Sequence, residues 1–144
     1  MINRFEKLSR QEQQLLFSAP ALVSVLAASE GNKISPTDKA DALYLAHLKT
    51  FTAVFELLAY YNEVDKNFKL NFNSTVEKYS PLNDANRQKL KEEINRANLV
   101  IDKLDKTYAL ALHKSLQGYE QHVKEADMGL VDFIIPLPVP GITD

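Results

Sequence analysis

Apolar residues recur along most of this chain at intervals of three and four, the spacing of helices that bury one face. Ser9, followed three residues on by Glu12, has the form of a capping box and starts a helix carrying Leu15 and Leu16 inward. Pro20 lacks an amide hydrogen, so this helix is expected to break near Ser18 and Ala19, with Pro20 in the first turn of a second helix. Residues 21–28 are apolar almost all round and predict a central core helix. Glu30, Gly31 and Asn32 end it. Ser35, Pro36 and Asp38 open the next as cap, first helical residue and first-turn acid. Behind them Leu43, Ala46, His47, Thr50, Val54, Leu57, Leu58 and Tyr61 fall at helical spacing, and Thr50, Phe51 and Thr52 leave room for a bend.

Val64, Phe68, Phe72 (or Leu70) and Val76 extend the pattern through residues 62–79, although Asn71, Asn73, Ser74 and Thr75 compete for backbone groups. Ser80 and Pro81 punctuate the chain, and Asn83 or Asp84 caps the next helix. Leu90, Ile94, Ala97, Ile101, Leu104 and Tyr108 then form one seam, and Ala109, Leu112, Leu116, Tyr119 and Val123 a second. An uninterrupted helix over 85–126 measures roughly 60 Å. A compact domain of this length is about 40 Å across. A break is therefore expected at 102–105, with Asp102 as N-cap; a protruding, dimerising helix is the alternative. Residues 129–144 differ in kind. Phe133, Ile135, Leu137 and Val139 are interleaved with Pro136, Pro138 and Pro140, which predicts an extended strap. It lies across the bundle or docks on a partner or a second copy. The expected fold is all-α: a single domain, 1–144, of five to seven helices with an extended Pro-rich tail.

Composition narrows the functions this fold can serve. With 144 residues and no cysteine, the core needs no disulfide, and thiolate chemistry is excluded. The formal net charge is -2. Residues 1–72 carry eight basic and eight acidic groups and residues 73–144 nine and eleven, so neither half forms a basic surface for nucleic acid. The apolar run at 15–28 is too short to span a bilayer, and the glutamates and glutamines before it do not suit a secretion signal. A cytoplasmic protein with no membrane partner is expected.

No motif for nucleophilic or phosphate chemistry occurs, and Ser24 and Ser115 sit within helices. Asp102 and Asp105 read as a helix-start pair. No cofactor is expected, but two groups of residues have the chemistry of a divalent-metal site. Asp38 and Asp41 share a helix face with Glu30 across the turn, a carboxylate set for a hard cation. The same acids also suit a helix's positive end. His47 and His122 can meet if their helices pack antiparallel, whereas a lone histidine on an apolar face is otherwise a core residue bonded to a carboxylate. Phe51, Phe55, Tyr60, Tyr61, Phe68 and Phe72 belong to the core; any that is exposed marks a surface for a partner.

The run from Ala27 and Ala28 through Ser29, Glu30, Gly31, Ile34 and Ser35 to Asp38 resembles the TerB-like domains of bacterial tellurite-resistance and stress proteins. This chain has Glu30 for the usual aspartate, one more residue before Ile34, and Asp38 where glutamate is common. The resemblance implies an all-helical fold and a non-catalytic stress-response or interaction role. It also implies acidic residues, here Glu30 and Asp38, of the kind associated with divalent metal. A metal-binding protein and a small-molecule-binding bundle are the alternatives.

Overall fold

The computed structural model describes residues 3–29 and 34–127, without the side chains of Asn3, Phe51 and 122–127. The acidic turn expected at 30–33 and the strap expected at 129–144 lie outside the described residues. Within them the chain is helical: a 3₁₀ turn, Asn3–Phe5, and five helices, α1 (Arg10–Ala28), α2 (Pro36–Thr52), α3 (Phe55–Tyr79), α4 (Asp84–Ile101) and α5 (Lys106–Asp127). No strand occurs among the described residues.

The caps carry most of the local specification. Ser9 and Glu12 close a reciprocal capping box, with Ser9 N–H donating to Glu12 at 2.9 Å and Glu12 N–H to Ser9 at 3.1 Å. Ser35 and Asp38 repeat it on α2, both bonds at 3.0 Å. Asn83 caps α4. The expected break between α4 and α5 is present, but Asp102 is not the N-cap. It ends α4, and the carboxylate of Asp105 accepts the Tyr108 N–H at 3.3 Å. Two aspartates three apart offer the same chemistry, and the choice falls to the one directly before Lys106.

Two expectations on helix boundaries are corrected. First, α1 does not break; Pro20 lies inside it, buried. A proline here removes the bond that its amide hydrogen makes to the carbonyl four residues back, at Leu16. The Tyr60 hydroxyl from α3 donates to that carbonyl at 2.8 Å, so the orphaned acceptor is satisfied from a neighbouring helix. Second, the periodic run from Leu43 to Tyr61 is two helices. Ala53 and Val54 are extended, with ψ of 156° and 152°, and turn the chain back on itself.

Helix α1 is the axis of the bundle, packing against α3, α4 and α5 and more lightly against α2. At one end Phe5 stacks edge-on against Phe17 (5.2 Å) and Tyr108 (6.0 Å), and Phe17 lies 5.6 Å from Tyr60. The starts of α1, α3 and α5 therefore meet there. Lys103, in the α4–α5 turn, pairs with Glu12 at the same end. That bond, with the Ser9 N–H, holds the Glu12 carboxyl below its usual range. At the other end Arg87, one turn into α4, donates to the Ser29 carbonyl at 2.7 Å where α1 stops. So α1, α3 and α5 run one way, and α2 and α4 the other.

The buried face of α2 is Ala42, Leu45, Ala46, Lys49 and Ala53, rotated by one residue from the expected stripe. His47 is exposed, Leu43 and Thr50 are half-buried, and Val54 is exposed. Three alanines allow α2 to lie close to its neighbours. The Lys49 stem fills a core position, with the ammonium 5.9 Å from the centre of the Tyr61 ring.

Helix α3 starts without a side-chain cap, since its N-cap is Val54. Valine is among the poorest residues there, because it offers no acceptor to the free N–H groups of the first turn. Val54→Ser is expected to stabilise the fold by about 1 kcal/mol, raising Tm by roughly 2–4 °C in a chain of this size. Thermal denaturation followed by circular dichroism reads it, and an unchanged or lower Tm contradicts it.

Candidate functional site

The interior holds several polar groups besides its apolar side chains. Tyr60, Tyr61 and Tyr119 are all fully buried. Tyr60 and Tyr61, adjacent on α3, meet edge to face at 5.0 Å, and Tyr61 stacks on Tyr119 of α5 at 6.4 Å with an interplanar angle of 7°. Each hydroxyl has a place. Tyr60 donates to Leu16, and Tyr61 lies 2.6 Å from Ser115 Oγ. Tyr119 points to the Ala42 carbonyl at 3.5 Å. Ser24, also buried, donates to the Pro20 carbonyl at 2.7 Å. Among the described residues every buried side-chain nitrogen or oxygen has a hydrogen-bond partner.

Burial pushes the Tyr60 and Tyr119 hydroxyls well above the ordinary tyrosine range, because a phenolate there has no water to solvate it. For Tyr119 the Ser24 hydroxyl acts in the opposite sense. Burial also pushes Tyr108 up to about 12, against the pull of Arg4, whose guanidinium sits 4.0 Å over its ring. Tyr60 and Tyr119 stay protonated and serve as donors that tie α3 to α1 and α5 to α2. Neither Ser24 nor Ser115 has a histidine within hydrogen-bond distance among the bonds described; both are taken up by the tyrosine layer and the helix backbone.

The residues singled out for metal chemistry are spread over several structural roles. Asp38 is the reciprocal partner of Ser35 in the α2 capping box, and half-buried Asp41 follows it on the same helix. Glu30 lies outside the described residues. His47 Nδ1 is 3.2 Å from Asp65 on α3, on the exposed side of α2. The side chain of His122 is not among those described, so its expected meeting with His47 lies outside them too. His113 Nε2 is 2.8 Å from Asp102, joining α5 to the end of α4. Among the described residues no three histidine, aspartate or glutamate side chains come together to hold a metal ion.

Two concavities are formed by described residues. One, about 110 Å³, lies between α1, α4 and α5, with Ala19, Val23 and Leu116 on its apolar side and Asn98, His113 and Glu120 on its polar side. The other, about 420 Å³, is an open cleft between the start of α2 and the end of α3. Ile34, Pro36, Phe72 and Val76 form its walls, and Lys39 and Glu77 stand at its rim.

The aromatic cluster of the middle third divides. Tyr60, Tyr61, Phe68 and Phe72 are core, whereas Phe55 is 85% exposed. It sits beside exposed Val54 at the α2–α3 elbow, at the end of the bundle opposite the cleft. The pairs His47–Asp65 and His113–Asp102 are not legible in the sequence, since their partners lie 18 and 11 residues away on separate elements. Lys49 is hidden there because lysine on a core stripe has no apolar signature, though its spacing from Ala42, Leu45 and Ala46 is helical.

No family model, curated protein or solved structure matches this chain. Among the described residues no helix is long and apolar enough to cross a membrane.

Proposed function

We propose that this protein is a non-catalytic interaction domain, a TerB-like helical bundle of the bacterial stress-response type, which docks a protein partner at the α2–α3 elbow. The observation that carries this reading is Phe55. A phenylalanine 85% exposed wastes an apolar side chain that could stabilise a core, and it stands beside a second apolar residue where a helix cap belongs. Val54 and Phe55 together give up stability at a position where a serine and a polar residue serve the fold better. A ring presented on a rigid elbow is the kind of anchor that fills a pocket on a partner and dominates binding. The TerB-like part of the reading is supported by the helical fold and by the Ser35–Asp38 box that opens α2, and rests otherwise on the sequence resemblance.

The test compares the full chain with Phe55→Ser. The variant is expected to keep its helical signal and Tm, because Phe55 touches solvent more than core. It is expected to lose, by at least about tenfold in affinity, a partner that the native chain retains on purification and that photocrosslinks to position 55 (a hot-spot aromatic is worth about 2 kcal/mol or more). Equal retention by both proteins overturns the assignment of the elbow.

A further inference from the structure

The geometry points to the cleft between α2 and α3 as the seat of this chain's own C-terminal segment, 133–139, held in cis across the end of the bundle. This goes beyond the partner-docking reading and uses a different surface, at the opposite end of the molecule from Phe55.

Where the helices end places the segment within reach. Tyr119 is level with Ala42, its hydroxyl aimed at the Ala42 carbonyl. From that level α5 runs on through eight residues to Asp127, about 12 Å at 1.5 Å per residue. In the opposite chain direction α2 runs back six residues to Pro36, about 9 Å. The last turn of α5 and the mouth of the cleft therefore lie at the same end. Helix α2 contacts both α5 and α3, so the cleft is about one to two helix spacings, roughly 10–20 Å, from the point where α5 stops. The six residues from Asp127 to Phe133 cover about 20 Å in an extended β-type chain. That is enough, with little slack.

The chemistry of the two surfaces is complementary. Phe133, Ile135, Leu137 and Val139 alternate in sequence with Pro136, Pro138 and Pro140, so a β-type extended backbone would put the first set on one face and the prolines on the other. The cleft's walls are Ile34, Pro36, Phe72 and Val76, and its volume of about 420 Å³ is that of a pocket for a few aliphatic side chains. A groove between two helices offers few backbone hydrogen bonds, only those left over at the first turn of α2 and the last turn of α3. A strand with ordinary amides loses by entering such a groove. One with three prolines has fewer donors to strand and loses less. A cis arrangement also fixes the stoichiometry: tethered to α5, the segment meets the cleft at millimolar effective concentration, which a free partner rarely matches.

The chain has no cysteine, so a disulfide trap can be built without background. Asn73, exposed at the cleft's edge, and Leu137 are both changed to Cys in the full-length protein. The control pairs Leu137→Cys with Asn95→Cys, on an exposed site of α4. Both proteins are oxidised at low micromolar concentration and read by non-reducing gels and mass spectrometry, with circular dichroism confirming the fold. The expected result is an intramolecular disulfide in N73C/L137C, at a yield about tenfold above N95C/L137C. Equal yields in the two pairs overturn the proposal, as does the lack of a bond in either. Disulfide-linked dimers as the main product of N73C/L137C overturn it in favour of a cleft that takes the tail of a second copy. A Lys39→Cys partner for Leu137→Cys repeats the test should Asn73→Cys disturb α3.

Discussion

Above pH 10 this protein is expected to unfold in one cooperative step driven by Tyr60 and Tyr119. Burial raises the folded-state pKa of both hydroxyls well above the value of 10.0 that they regain when unfolded. Below pH 10 both states hold the proton and the pair has no effect on the balance. Above it the unfolded chain releases two protons that the folded one keeps, so stability falls as pH rises. Each such group removes about 1.4 kcal/mol per pH unit until its folded-state pKa is reached. The loss from the two groups accumulates as pH rises above 10, against a total that in domains of this kind is roughly 5–15 kcal/mol. Tyr108, raised to about 12, adds to the loss in the same direction. Tyrosinate absorbance and helical circular dichroism, followed together on base titration, are expected to change with one midpoint. Tyr60→Phe should reduce the pH slope of stability by about one proton. Ionisation of every tyrosine with the helical signal intact contradicts the account.

The sequence reveals helix existence well and helix orientation less well, and α2 shows why. The larger side chains at helical spacing, Leu43, His47, Thr50 and Val54, suggest one stripe, whereas the buried line is Ala42, Leu45, Ala46, Lys49 and Ala53. Alanine and lysine carry little hydrophobic weight, yet a close helix contact selects the first and a long aliphatic stem can serve the second. The error turns the helix by one residue, about 100°. It moves His47 from the supposed core to the surface, where Asp65 meets it. The caps, by contrast, are legible wherever a serine stands three residues before an acid, because that chemistry is local. At 102–105 two aspartates fit the same rule and only the structure separates them. Phe55 can be named in advance as a member of the aromatic cluster, but its exposure cannot, since that depends on Ala53 and Val54 leaving the helical path. Of the candidate metal ligands, Asp38, Asp41 and His47 lie along α2 and His122 on α5. The roles that two of them take in the described structure (a capping box for Asp38, an interhelical bond for His47) account equally well for their presence in the sequence.

The expectation that α1 breaks at Pro20 fails through a long-range compensation, and this leads to a second large effect. Tyr60→Phe deletes one oxygen, leaves the ring packing against Phe5 and Phe17 in place, and strands the buried Leu16 carbonyl. The expected cost is about 1–3 kcal/mol, the penalty for an unsatisfied buried acceptor. In a Pro20→Ala background the outcome should differ. Residue 20 then carries an amide hydrogen four residues beyond Leu16 and can close the ordinary helical bond, so the same carbonyl keeps a donor when the tyrosine hydroxyl is removed. Pro20→Ala alone has opposing terms, a gain in helix propensity and the loss of a buried ring, and its sign does not matter to the test. What matters is the coupling: urea denaturation of the four proteins of the cycle should show Tyr60→Phe costing less by about 1 kcal/mol or more when alanine replaces the proline. An equal cost in both backgrounds contradicts the assignment. It would mean that the tyrosine is retained for something other than the bond that lets a proline sit within the central helix.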